Sequence, residues 1–533
     1  MTGRGVHLWP GGIALAATLG LAAVSLAALL SAAPGDLATG DIVDNYVLGV
    51  LRFTVLQATL STLLAVGCAV PVARALARRG GWPGRKLLLA LFGLPLVMPV
   101  IVAVFGLAAI YGQNGAFNDL IAWLGVPRQQ VLYGLAGILI AHVFFNLPLA
   151  ARLLLLAWQA IPGESWRLAG QLGMSSWQIF RLIEGPRLRE VLPGVAVLVF
   201  LLCFTSFAVV LTLGGGPRHA TLEVAIYQSL RLDFDIPRAV VLAVLQVVLC
   251  AFLAGALLTL GRTPEGGATL DRMTGRPDLA GWGGRVLDAA VLFVAAGFVL
   301  APLAAIVWSG LGGPLGDVLS SAPLWRATLR SVVVGLGGGL LAMALGTALL
   351  VTTRDLKYRR WRPRLAERLE LMGSLNLVVS PTVLGAGLFV LLLPMTDVLG
   401  LALPLVVIVN GIVFVPYVLR TVGPGFYRVA ENHDRLCASL GIKGFARLRL
   451  VEWPAVRRPA ALGLAIASTL SLGDLTAIAL FGSQDSETLP LMLYRAMAAY
   501  RMDEAAVIAL LLALVCLILF LLIERFLGGR AAA

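Results

Sequence analysis

The sequence predicts an all-α polytopic membrane protein, with about twelve transmembrane helices arranged as two parallel six-helix repeats. Of its 533 residues 59% are hydrophobic and only 13% charged, and the mean hydropathy of +0.92 exceeds what a soluble core requires. The apolar residues fall in long runs without the alternation of barrel strands. A bilayer offers backbone groups no water, so such runs must close their own hydrogen bonds as helices. The third observation is a repeat: the charged phrase RLIEGPRLR at 181–189 returns as RLVEWPAVR at 449–457.

In chain order, the first span lies near 11–31. SAAPGD follows it, as a cleavage site follows a signal peptide, but the run exceeds the usual apolar core of about 7–15 residues, so it reads as an uncleaved span. Further spans fall near 55–77, 87–111, 131–158, 191–214 and 239–260. The Gly-, Pro- and charge-rich stretch 261–285 reads as a cytoplasmic linker. The second set lies near 286–311, 328–352, 370–394, 398–421, 461–482 and 504–526. The expected division is therefore 1–260, 261–285 and 286–533.

Positive charge in the short loops sets orientation. Arg74, Arg78, Arg79, Arg85 and Lys86 follow span two, and Arg354, Lys357, Arg359, Arg360, Arg362 and Arg364 follow span eight, so both loops should be cytoplasmic. Loops after spans one, three, seven and nine carry little positive charge, and the first holds Asp36, Asp41 and Asp44. An even number of spans then leaves both termini inside. The net charge of +13 is spread over these loops and forms no nucleic-acid-binding module. Cys68, Cys203, Cys250, Cys437 and Cys516 form no CxxC or Cys/His cluster, so neither a disulfide framework nor a metal site is indicated.

The offset of 268 residues between the two phrases also pairs Arg167 with Arg435, Leu172 with Leu440, Gly173 with Gly441, Glu184 with Glu452 and Pro186 with Pro454. It pairs Pro148 with Pro416 and Arg152 with Arg420, and at an offset of 267 TLEVAIY at 221 faces TLPLMLY at 488. Such a collinear run is an internal repeat of about six spans. Even-numbered halves share one topology, so a pathway would run between parallel repeats. The basic loops at about 159–190 and about 422–460 repeat one plan. GESWRLAGQLG reads as a helix stopped by Gly173, and SSWQIFRLIEG as a second helix opened by Ser175 or Ser176, with Pro186 as the next break. HDRLCASLG, Gly441, FARLRLVEW and Pro454 follow suit. A loop that only fixes topology accounts for the arginines but not for matched Gly, Glu and Pro with apolar residues between them, a pattern suited to a docking partner.

These loops resemble the EAA loop of binding-protein-dependent ABC importer permeases, a helix–Gly–helix element that transmits movement from the nucleotide-binding subunit. The strings YGLAGILIAHVFFNLPLAARLLL, PLVMPVIVAVFGLAAIYG, LGGGP and EVAIYQSLRLDFDIPRA are similar to the fused two-repeat permease of bacterial thiamine (thiamine pyrophosphate) importers. The resemblance covers nearly the whole chain. It implies ABC type I importer permease repeats in the bacterial inner membrane, and alternating-access transport of thiamine or its phosphate esters from periplasm to cytoplasm. It also implies two copies of an ATPase subunit, a periplasmic thiamine-binding protein, and ATPase-coupling roles for Arg167, Gly173, Glu184, Pro186, Arg435, Gly441, Glu452 and Pro454. In one respect the chain departs from the family pattern: Arg167 and Arg435 replace the Glu that opens the general motif, so a contact made by that Glu does not carry over. The ferric-iron importer permease shares the two-repeat plan and is the nearest alternative. A twelve-span secondary carrier also has parallel halves, and RALARRGGWPGRK resembles its loop between spans two and three, but it lacks a repeated helix–Gly–helix after spans four and ten.

The chain should carry no cofactor. A phosphate-cradling Walker loop needs a lysine after Gly-x-x-x-x-Gly, and Lys86, Lys357 and Lys443 do not follow one. ATP and Mg are therefore expected on separate ATPase subunits. Within span eleven, an ionised Asp474 would cost about 2.5–3.5 kcal/mol and should face a cavity or a partner. Ser206 stands at its repeat position. The carboxylate could offset a cationic thiazolium in the pathway, bond a neighbouring helix, or hold a gate closed. His142, Asn146 and Asn410 read as interhelical hydrogen-bonding groups near prolines, with Asn146 and Asn410 retained as pathway candidates. Tyr227 and Tyr494 fall in expected external loops, where anchoring at the interface would suffice. No nucleophile–base pair is present, which favours a transporter subunit over an enzyme.

Overall fold

The structure, a computed structural model, describes residues 8–32, 44–260, 276, 278, 281–359, 362–374, 380–442 and 444–528. Asp36, Asp41, Arg360 and Lys443, and most of the expected linker, lie outside the described residues. All regular elements among the described residues are helical. The first half contains α1 (Leu8–Ser31), α2 (Asn45–Arg78), α3 (Arg85–Leu91), α4 (Leu94–Val97), α5 (Val100–Tyr111), α6 (Ala116–Trp123) and α7 (Leu135–Gln159). It continues with α8 (Gly163–Gln171), α9 (Ser176–Ile179), α10 (Gly185–Phe204), α11 (Ala208–Leu213), α12 (Leu222–Arg231) and α13 (Ile236–Leu260). The second half contains α14 (Trp282–Gly312), α15 (Leu315–Leu319), α16 (Ala322–Arg354), α17 (Pro363–Ser374), α18 (Pro381–Leu392) and α19 (Ala402–Val413). After these come α20 (Val415–Ser439), α21 (Gly444–Arg447), α22 (Trp453–Leu472), α23 (Thr476–Phe481), α24 (Leu489–Ala498) and α25 (Met502–Gly528).

Among the described residues nine helices are long and apolar enough to cross a bilayer, or ten if α19 and α20, bent by 44°, count as one span. The expectation was about twelve. The fifth and ninth expected spans fall short because their helices are interrupted. Thr205–Phe207 separate α10 from α11, and α10 begins among Arg187, Arg189 and Glu190. In the ninth, Ser380 caps a helix that starts at Pro381, whose ring cannot continue a helix but can start one, and that helix is 12 residues long. Tyr227 and Tyr494 lie half-buried on the short helices α12 and α24 instead of in loops.

Helices at the periphery and at the centre differ in burial. In the most apolar window of α1, α13 and α14 only 28% of residues are buried, against 78% in 449–481, so α22 and α23 sit at the heart of the bundle. Phe252, Phe293, Trp308 and Phe526 project outward as large exposed apolar groups, the face a bilayer would cover. The halves also exchange their first helices. α1 packs on α16 and α18 of the second half, while α14 packs on α2 and α5 of the first.

Candidate functional site

Each half ends its loop's first helix in the same way. Gly173 and Gly441 have φ of +59° and +65°, a left-handed conformation that a side chain disfavours. The N–H of Met174 donates to the carbonyl of Ala169 at 3.0 Å, and that of Ile442 to Cys437 at 2.9 Å, closing a Schellman cap in both halves. The first half uses a separate nine-residue helix, α8. In the second half the stopped helix is the C-terminal end of α20, which runs from the bundle without interruption. Ser175, not Ser176, opens the next helix: its Oγ accepts the Gln178 N–H while Gln178 Oε1 accepts the Ser175 N–H, a complete capping box.

Pro186 and Pro454 do not break the chain as expected. In both halves a π-helical turn, Phe180–Glu184 or Leu448–Glu452, carries the loop helix directly into α10 or α22. A proline in the first turn of the following helix removes one N–H and crowds the preceding turn, and the wider turn accommodates it. The repeated phrase therefore joins a surface element to a buried helix through a continuous helical path.

The charged groups of that phrase divide by burial. Glu184 is fully buried and accepts from Arg74 Nε at 2.7 Å and Arg276 Nη2 at 2.5 Å. Glu452, also buried, accepts from Arg354 Nη1 at 2.6 Å and Arg447 Nε at 2.8 Å. These carboxylates brace the element from behind. Arg167, Arg435, Pro186, Pro454 and both glycines are exposed. Around them lies a matched apolar face: Leu168 and Leu436 are 56% and 53% exposed, Leu172 and Leu440 67% and 63%, and Leu182 and Leu450 62% and 65%. All three pairs obey the 268-residue offset, so each half presents the same leucines.

Deeper in the bundle several spans are cut. The breaks are Met98–Pro99 between α4 and α5, Thr205–Phe207 between α10 and α11, and Gly473–Leu475 between α22 and α23. Asp474 caps the last of these, its carboxylate accepting the N–H groups of Thr476 at 3.1 Å and Ala477 at 3.0 Å. Gly473 packs so closely that a Cβ there would lie 2.7 Å from the Pro99 ring, which brings a break of one half against a break of the other. Ser206, partly exposed, lies within the equivalent first-half break. Asn146 and Asn410 are buried ties one helix away. Asn146 Nδ2 donates to His142 O at 2.9 Å and reaches Cys203 Sγ at 3.4 Å, and Asn410 Nδ2 reaches Ser471 Oγ at 3.1 Å. Cys203 and Ser471 again stand 268 residues apart, each just before its break. Hydropathy gave no sign of Glu223, fully buried on α12, which accepts from Gln246 Nε2 at 2.8 Å.

Residues 374–530 match the family described as "Binding-protein-dependent transport system inner membrane component". The chain is 45% identical over 524 residues to the thiamine transport system permease protein ThiP of Brucella abortus (strain 2308), covering 98% of this chain and 96% of that protein. It is 42% identical to ThiP of Escherichia coli (strain K12), with 96% of each chain covered, and 38% identical to that of Haemophilus influenzae, with 91% and 89% covered. With such identity sustained over nearly the full length of these relatives, the chain belongs to the thiamine transport system permease family, whose members are inner-membrane components of binding-protein-dependent transport.

Proposed function

We infer that this chain is the membrane-spanning subunit of an ABC importer that carries thiamine or its phosphate esters from the periplasm to the cytoplasm by alternating access. The observation that carries this reading is the matched leucine face at 168, 172, 182 and at 436, 440, 450, built on two Schellman turns of the same geometry. Two equal apolar faces suit two copies of one ATPase subunit, which binds ATP and Mg and hydrolyses the nucleotide. A periplasmic thiamine-binding protein delivers the substrate at the opposite end of the bundle, and both termini lie in the cytoplasm. Closure of the ATPase dimer pulls on the loops, and the continuous π-helical joints pass that movement into α10 and α22, whose far ends carry the breaks at Ser206 and Asp474. The relatives' names weigh against the ferric-iron alternative.

Reconstitution in vesicles with the ATPase and the binding protein tests the reading. Labelled thiamine should enter only with ATP inside the compartment that holds the ATPase. Uptake driven by a proton gradient without ATPase subunits would replace this reading with the secondary carrier.

A further inference from the structure

The two coupling elements present equal faces but are braced differently. In the second half Arg447, on α21 of the loop itself, clamps Glu452 and also pairs with Asp434 near the end of α20. The positions 268 residues earlier are Ile179 and Trp166, so the first loop contains neither member of that pair. Yet Glu184 holds a second guanidinium. It comes from Arg276, in the segment that joins the halves, with its Nη2 2.5 Å from Glu184 Oε1 and its guanidinium 4.2 Å from the Trp166 ring centroid. Asp278 takes the part of Asp434: its Oδ1 accepts from Arg276 Nε at 3.1 Å, and its Oδ2 accepts from the hydroxyl of Ser176 at 3.3 Å, at the start of α9. Arg78 at the end of α2 donates to the Asp278 carbonyl at 2.9 Å. The side chains of Arg276 and Asp278 are both almost fully buried.

We propose that Arg276 and Asp278 of the inter-repeat segment are positioning residues of the first coupling element, supplying the arginine–carboxylate clasp that the second element carries in its own loop. A flat guanidinium bonds Glu184 through Nη2 and Asp278 through Nε while its face lies on Trp166, a planar forked geometry that a compact ammonium does not reproduce. With the clasp closed, a push on α8 and α9 moves α10. With it open, Glu184 keeps only Arg74, and the loop can yield without moving the helix.

The inference rests on the ATPase-coupling reading, and the experiment separates the two. The reconstituted complex is compared as wild type, Arg276→Gln and Arg447→Gln, reading ATPase retained on the purified permease, permease-stimulated ATP hydrolysis, and thiamine taken up per ATP. Losing a buried charge-assisted hydrogen bond should lower uptake per ATP about tenfold in both variants, with ATPase retention unchanged. Wild-type coupling in Arg276→Gln beside a defective Arg447→Gln would overturn the proposal, as would loss of ATPase binding in place of coupling. If Arg276→Gln does not reach the membrane, Arg276→Lys carries the same test. If the wild-type complex hydrolyses ATP but imports no thiamine, the substrate reading fails, while a drop in stimulated hydrolysis in Arg276→Gln still supports the clasp and an unchanged rate refutes it.

Discussion

Replacing Gly441 isolates backbone conformation from packing. Among the described residues nothing lies within 4 Å of the place a Cβ would occupy at Gly441, so a substitution there acts through its φ of +65°. Alanine in that left-handed conformation costs about 1–2 kcal/mol. That shifts the balance between the capped turn and its opened form roughly 5- to 30-fold, since about 1.4 kcal/mol is a factor of ten. Asparagine tolerates the conformation better and should fall between glycine and alanine. Proline cannot comply, because its ring fixes φ near about −65°. It also loses the N–H that reaches Ala438 O, and disfavours the helical conformation of Leu440 before it. The expected order of thiamine uptake per ATP in vesicles is Gly, Asn, Ala, then Pro with almost none, at equal membrane insertion. Uptake in Gly441→Pro at the wild-type level would refute the claim that this turn transmits force, and Ala outperforming Asn would refute its conformational basis.

Three other outcomes are expected. Leu172→Asp and Leu440→Asp each remove an exposed apolar contact worth about 1.5–3 kcal/mol when buried by a partner, so each should weaken retention of the ATPase on the purified permease at least about tenfold. Asp474→Asn keeps one cap acceptor and should retain uptake, while Asp474→Ala should cost about 1 kcal/mol and lower the thermal midpoint of the solubilised protein; a large rise in the thiamine KM for Asp474→Asn would instead make the charge part of the substrate path. Glu184→Ala leaves Arg74 and Arg276 without their shared buried acceptor and should destabilise the first half by about 3–5 kcal/mol, seen as a lower midpoint than any single leucine change produces.

What the sequence made legible is what side-chain chemistry writes locally. Gly173 and Gly441 stop their helices because only glycine is at ease at positive φ, and Ser175 opens α9 because the Gln three residues on completes its cap. Backbone hydrogen bonding is less visible. Hydropathy averages over Met98–Pro99, Thr205–Phe207 and Gly473–Leu475 and reports continuous apolar spans, and Pro186 looks like a stop until a π turn accommodates it. The exchange of α1 and α14 between halves depends on which apolar faces meet, a long-range choice that no window reads. Arg276 did leave a trace: Ile179 at the position of Arg447 marks a carboxylate, Glu184, short of one partner in its own loop.

The two halves are held to different standards at their surfaces and behind them. On the proposed reading one kind of ATPase subunit meets both elements and requires equal faces, and Leu168, Leu172 and Leu182 reappear at the same offset with nearly the same exposure as Leu436, Leu440 and Leu450. The bracing behind them differs between the halves in a way that fusion permits: Glu452 is clasped by Arg447 of its own loop, and Glu184 by Arg276 of the segment that joins the halves. Within the segment joining the halves, Arg276 and Asp278 lie against the first element, in contact with Glu184, Trp166 and Ser176. Arg78 and Arg79 at the end of α2 extend the same network to Asp288 on α14, the first helix of the other half. On the proposed coupling reading, displacement of the first element is thereby tied both to its own α10 and to the helix exchanged into its half, a linkage that two unfused copies of one repeat could not make on one side only.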